Sequence, residues 1–169
     1  MGNPSLTFET AARMAAAPMA AAAQETALTQ GITAGTTVLT LEGELPVQFL
    51  APGDRVITRA GARVLKDIAV SVLHDAQMVR ISASALGHDR PEGDVFVAPG
   101  QPILVRDWRA KALYNRNAAM VEAQRLVDGD YIRKEVVAEI RLFTLYFEQE
   151  EVLYAGGLEL ACTPAKAIV

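Results

Sequence analysis

Cys162, His74 and His88 are the only cysteine and histidines in the chain, and no two stand close together. A zinc site built from these side chains shows paired ligands at short spacing, so the set predicts no metal, and no cofactor motif accompanies it. One cysteine excludes an intrachain disulfide, which fits a reducing compartment. A reactive thiol needs a helix start or a nearby cation to lower its pKa. Cys162 stands beside Thr163-Pro164 without either and reads as a small buried or inert thiol. Thr33 and Thr36 are hydroxyls that a base could activate, and His74 and His88 are bases by type. Adjacent side chains such as His74-Asp75 seldom face one another, and both histidines read as residues of solvated turns. No nucleophile-elbow motif supports a Ser-His-Asp hydrolase. Glu148, Glu150 and Glu151 lack the alternating carboxylates of a calcium loop and read as a solvated hairpin turn. Trp108, between Asp107 and Arg109, reads as a loop aromatic that either anchors an interface or folds back on the core. The loop from it to Tyr114 is a candidate contact surface.

The elements that would position these residues change character near residue 30. Before it alanine dominates, and Phe8, Ala12, Ala15, Met19 and Ala22 fall at steps of four and three, drawing an apolar stripe along a helix. Thr7 caps its start, Pro18 breaks or kinks it, and Gly31 stops it. An alanine-methionine stripe buries little area, so the arm is either a flexible leader or a helix that needs a surface to pack on. Phe8 and Met19 are its candidate contacts. The arm lacks the positively charged start of a secretory signal, since Glu9 precedes Arg13 and Pro18 splits the alanine tract, and the expected location is cytoplasmic.

Beyond residue 37 short β-branched runs alternate with turn residues. Strands are expected at 37–41, 54–59, 63–73, 78–82, 94–98, 101–106, 131–133, 139–147 and 152–155, with an exposed loop at 87–93. Residues 117–126 have helical composition, with Asp128-Gly129 as the stop. So many short strands argue for an all-β sandwich or barrel-like body.

Within that body the chain carries, in order, Gly35-Thr36, Val38, Leu41, Gly43, Pro46-Val47, Leu50, Gly53-Asp54, Val56, Ile57 and Thr58. This series resembles the opening of the Hint family, shared by hedgehog autoprocessing domains and inteins. The family pattern runs Cys, a hydrophobic residue, two variable positions, Gly-Thr, a strand, a turn, Pro-Val, Leu and Gly-Asp. A fainter resemblance, closest to bacterial Hint-domain proteins, continues through residues 97–105, 126–133 and 152–153. The resemblance implies a mainly β, compact, intertwined Hint-like fold over residues 31–164. Residues 1–30 form the arm, 165–169 a tail, and one short internal helix completes the set.

The resemblance also implies a chemistry, and the residues that should perform it are missing. In the family a cysteine thiolate attacks the preceding carbonyl and turns an amide into a thioester. A histidine protonates the leaving nitrogen, and a threonine orients it. The nucleophile's position holds Gly31, which has no side chain to attack with. The second motif, Ser or Thr, Pro, any residue, His, falls on Ala98-Pro99-Gly100-Gln101. Glutamine has no proton to give near neutral pH. Leu160-Ala161-Cys162-Thr163 replaces the terminal His-Asn pair of inteins. Self-cleavage is therefore expected to be lost, leaving a protein-binding or assembly module, with a divergent autoprocessing protein using Thr33, Thr36 or Cys162 as the rival.

The overall composition narrows the partners. The chain is about half apolar, with a net charge of −4 and scattered basic residues. It has no basic stripe of the kind nucleic acid requires. No run reaches the roughly 18 consecutive apolar residues that span a bilayer. The expected partner is another protein, or a second copy reached through residues 1–30.

Overall fold

The same turn chemistry builds two hairpins. In Thr40-Leu41-Glu42-Gly43 the threonine hydroxyl donates to the Gly43 carbonyl at 2.7 Å and accepts from the Glu42 N–H at 3.1 Å. Thr58-Arg59-Ala60-Gly61 repeats this arrangement at 2.7 and 3.2 Å. Each turn closes on a glycine at positive φ, 105° and 111°, a backbone conformation that side chains disfavour. The first turn joins β2 (Thr37–Thr40) to β3 (Gly43–Pro46), and the second joins β4 (Arg55–Thr58) to β5 (Gly61–Val64).

The computed structural model describes residues 30–162, twelve strands and one α-helix among them. The Phe8 and Met19 stripe, the rest of the expected arm and the 165–169 tail lie outside the described residues. β1 (Ile32–Thr33), β10 (Ile132–Tyr146), β6 (Asp67–Ile81) and β7 (Val95–Val97) close into a small barrel, β1 pairing with both β10 and β7. The remaining strands form a sheet in the order β3-β2-β4-β11-β12-β8-β9, with β5 on β4. Here β8 is Pro102–Val105, β9 Ala119–Glu122, β11 Glu151–Ala155 and β12 Leu158–Cys162.

β12 runs between β11 and β8, and all five of its residues are buried. Leu158 and Leu160 meet Val38, Val56, Leu153 and Ile103 in the main core. Glu159, on the opposite face of the strand, is also buried and is held by three arginines. Arg59 and Arg106 each donate to its Oε2 at 3.0 Å, and Arg90 donates to Oε1 at 3.2 Å. A carboxylate taken from water is tolerated only when paired in this way.

Several sequence expectations change. The 63–73 run divides into β5 and the start of β6 at Leu65-Lys66, and β6 then continues through the expected 78–82 strand. Likewise 131–133 and 139–147 join in one fifteen-residue strand, paired with β6 from Ile132↔Ile81 to Tyr146↔Asp67. His74-Asp75 is therefore no turn. His74 lies in mid-strand, exposed, and Asp75 takes a positive φ of 50° without ending the ladder. His88 does lie in a loop. Glu148 and Glu150 are exposed as expected, but Glu151 is buried in β11, accepting from Arg63 at 3.3 Å.

The helix expected at 117–126 is not there. Ala119–Glu122 pairs with β8, and Ala123–Leu126 is a 3-10 turn whose first two N–H groups bond outside the segment. The one α-helix among the described residues, α1, covers Trp108–Tyr114, where a loop was expected. Asp107 caps its start by accepting from the Arg109 N–H at 2.9 Å, and Asn115 in the left-handed region ends it.

Candidate functional site

Gln101 is 2% exposed and uses every polar atom of its side chain. The turn Ala98-Pro99-Gly100-Gln101 closes with the Gln101 N–H on the Ala98 carbonyl at 3.1 Å, which aims the side chain inward. The 3-10 turn braces it, the Ala123 N–H meeting the Gln101 carbonyl at 3.0 Å and the Gln124 N–H the Pro99 carbonyl at 2.8 Å. Inside, Gln101 Oε1 accepts from the Gly31 N–H at 3.0 Å. Its Nε2 donates to the carbonyls of Ala161 at 2.9 Å and Pro102 at 3.0 Å. One N–H on one side and two carbonyls on the other fix which way the amide points.

Gly31, Ala98 and Gln101 are thus brought into one unit, together with the end of the last strand. Gly31 takes φ 144°, and a Cβ built there would lie 3.3 Å from Leu142 Cβ. Both the backbone and the neighbour favour glycine. Ala98 is fully buried against Met78 and Leu142.

The other candidate nucleophiles are engaged elsewhere. Thr33 is buried, and its hydroxyl donates to the Phe96 carbonyl at 2.9 Å. With that proton committed, the 3.0 Å contact to Thr36 Oγ1 has Thr36 as donor. Cys162 is 8% exposed, and burial, with the Glu151 charge adding to it, pushes its thiol up to about 12. Such a group stays protonated and unreactive at neutral pH. Neither histidine serves these hydroxyls. His74 Nδ1 lies 3.7 Å from Glu139 and His88 Nε2 lies 3.4 Å from Asp89, on the surface in both cases.

Trp108 heads α1 and is 69% exposed, so it does not fold back on the core. Tyr114 ends the helix, with the Arg125 guanidinium 5.2 Å from its ring and bonded to its hydroxyl. The bridging role of Gln101 could not be read from sequence, because its partners are two carbonyls and an N–H, groups every residue carries. Among the described residues no three His, Cys, Asp or Glu side chains group as a metal site, and no helix is long and apolar enough to cross a membrane.

The sequence profile of the Hint domain matches residues 30–162. The chain belongs to the Hint domain family. Solved structures agree in fold. The crystal structure of the TvoVMA intein superposes with a TM-score of 0.56 at 12% identity, covering 79% of this chain and 97% of that one. The solution structure of a bacterial intein-like domain from Clostridium thermocellum gives 0.54 at 15% identity, covering 79% and 98%. The crystal structure of the gp41-1 intein gives 0.52 at 12% identity, covering 77% and 96%. At these identities the likeness establishes the Hint fold alone. No curated protein sequence matches the chain.

Proposed function

We propose that this Hint domain does not cleave itself and serves as a protein-binding or assembly module. The Gly31–Gln101 hydrogen bond carries the reading. Acyl transfer at residue 31 would need a nucleophile there and an acid to protonate its nitrogen. Gly31 supplies no nucleophile, and Gln101 presents an acceptor oxygen to that nitrogen, the opposite of a proton donor. The bound hydroxyl of Thr33 and the protonated thiol of Cys162 offer no replacement.

Intact mass tests this directly. The full chain, tagged at both ends and followed over days with and without thiol, should keep one unchanged mass. A cut near Gln30-Gly31 would overturn the proposal and send the search for a nucleophile to Thr33 and Thr36. The assembly form of the reading predicts a size that rises with concentration and falls back when residues 1–30 are removed.

A further inference from the structure

A groove of about 870 Å³ lies away from Gln101, between the 83–87 loop, the start of α1 and the 128–131 turn. One side chain ties its three walls together. The Arg109 guanidinium donates to the Ala85 carbonyl at 3.1 Å, pairs with Asp107, and reaches Asp128 at 3.7 Å. It also stacks 4.8 Å from the centre of the Trp108 ring, fixing that ring from one side. The walls are therefore set before anything binds, which lowers the ordering cost of recognition.

Two large aromatics, Trp108 at 69% and Tyr131 at 61% exposure, stand on this groove with Asp130 beside them. Among the described residues the indole N–H, the Tyr131 hydroxyl and the Asp130 carboxylate have no hydrogen-bond partner, although the Asp130 N–H is held by Asp128 at 2.8 Å. Three carboxylates, those of Asp107, Asp128 and Asp130, face one guanidinium, so the groove is negative overall. Burial pushes Asp128 upward, but the Ile132 and Asp130 N–H groups and Arg109 outweigh it and hold the carboxyl below its usual range. An apolar, electron-rich ring surface beside surplus negative charge suits an aliphatic chain ending in a cation.

We infer that this groove docks a lysine- or arginine-bearing segment of a partner protein, the side-chain stem along Trp108 and Tyr131 and the cation at Asp130. The inference rests on the reading of the domain as a binding module and names the chemistry of its partner. Charge selects a peptide over a sugar, which would use the rings but gain nothing from the surplus carboxylates.

Trp108 is the only tryptophan in the chain, so its emission reports on the groove directly. Titrating the full chain with hexa-arginine and hexa-lysine should shift that emission saturably and more weakly as salt rises, while hexaglutamate should have no effect. Asp130→Asn should weaken the binding about fivefold, and Tyr131→Ala about tenfold. Both residues are exposed on the rim, so the variants should keep the parent circular dichroism spectrum. No saturable response, an affinity unchanged from the parent in both variants, or a response to maltohexaose instead would overturn the assignment. So would an emission that moves with protein concentration alone, which would give the groove to a second copy of this chain. A chain of unchanged mass that ignores the basic peptides overturns the groove and leaves the non-catalytic reading standing. A chain that binds them and still cuts itself does the reverse.

Discussion

The Gln101 junction and the Trp108 groove are both polar networks centred on one polar side chain, and they differ in what is left over. At Gln101 the amide meets Gly31, Ala161 and Pro102, is closed to solvent, and leaves no donor or acceptor of that side chain free. At the groove Arg109 is held by the Ala85 carbonyl, Asp107 and the Trp108 ring, but the Trp108, Tyr131 and Asp130 tips around it point to water. Buried polar groups must be paired to be tolerated, whereas exposed ones incur little penalty when unpaired. The first network therefore stabilises the fold, and the second is available to something outside it.

If that contrast is right, substitutions at the junction should cost stability and substitutions on the groove rim should not. The largest effect is expected from Gln101→Leu, which strands the Gly31 N–H and two carbonyls in a dry site. Denaturant unfolding should show a loss of about 3 kcal/mol. A loss near zero would mean that water reaches the junction and that the two regions are alike. Gly31→Ala should cost about 2 kcal/mol, from a φ that side chains disfavour and the contact with Leu142.

On the same closed side, Cys162 makes stability pH-dependent. Its thiol ionises near 9 in the unfolded chain and at about 12 when folded, so folding favours the protonated form. That stabilisation is complete below pH 9 and is lost as pH climbs toward 12. Unfolding free energies across this window should slope downward in the parent and flatten in Cys162→Ala. The smallest effect belongs to the rim. Asp130→Asn should change stability by less than about 0.5 kcal/mol, and a larger loss would place Asp130 in the scaffold.

The sequence exposed the fold better than the site. The Gly35-Thr36 to Thr58 series and the rhythm of β-branched runs were enough to indicate a Hint-like β body. Lengths were harder, because His74-Asp75 reads as a turn by residue type, and only pairing with β10 shows that β6 passes straight through it. Residues 117–126 have good helix formers, yet their backbone groups bond to β8 and to the 98–101 turn, so tertiary partners override local preference. The true helix did carry a local signal, Asp107 before Trp108 and Asn115 after Tyr114, in a segment read as a loop. At the site, Gly31 and Gln101 were legible as single letters. The amide bridge and the groove were not, since both join residues far apart in the chain through backbone groups or a shared wall.

The bridge at Gln101 also has a mechanical meaning. It joins Gly31, just before the first strand, to Ala161, in the last, so the two ends of the described domain lie side by side. Tension applied between those two ends would load this one amide first, ahead of the long β6–β10 ladder, because β1 behind it is only two residues long. Stretching the domain by its ends should therefore peel β1 away while the rest of the sheet stays paired.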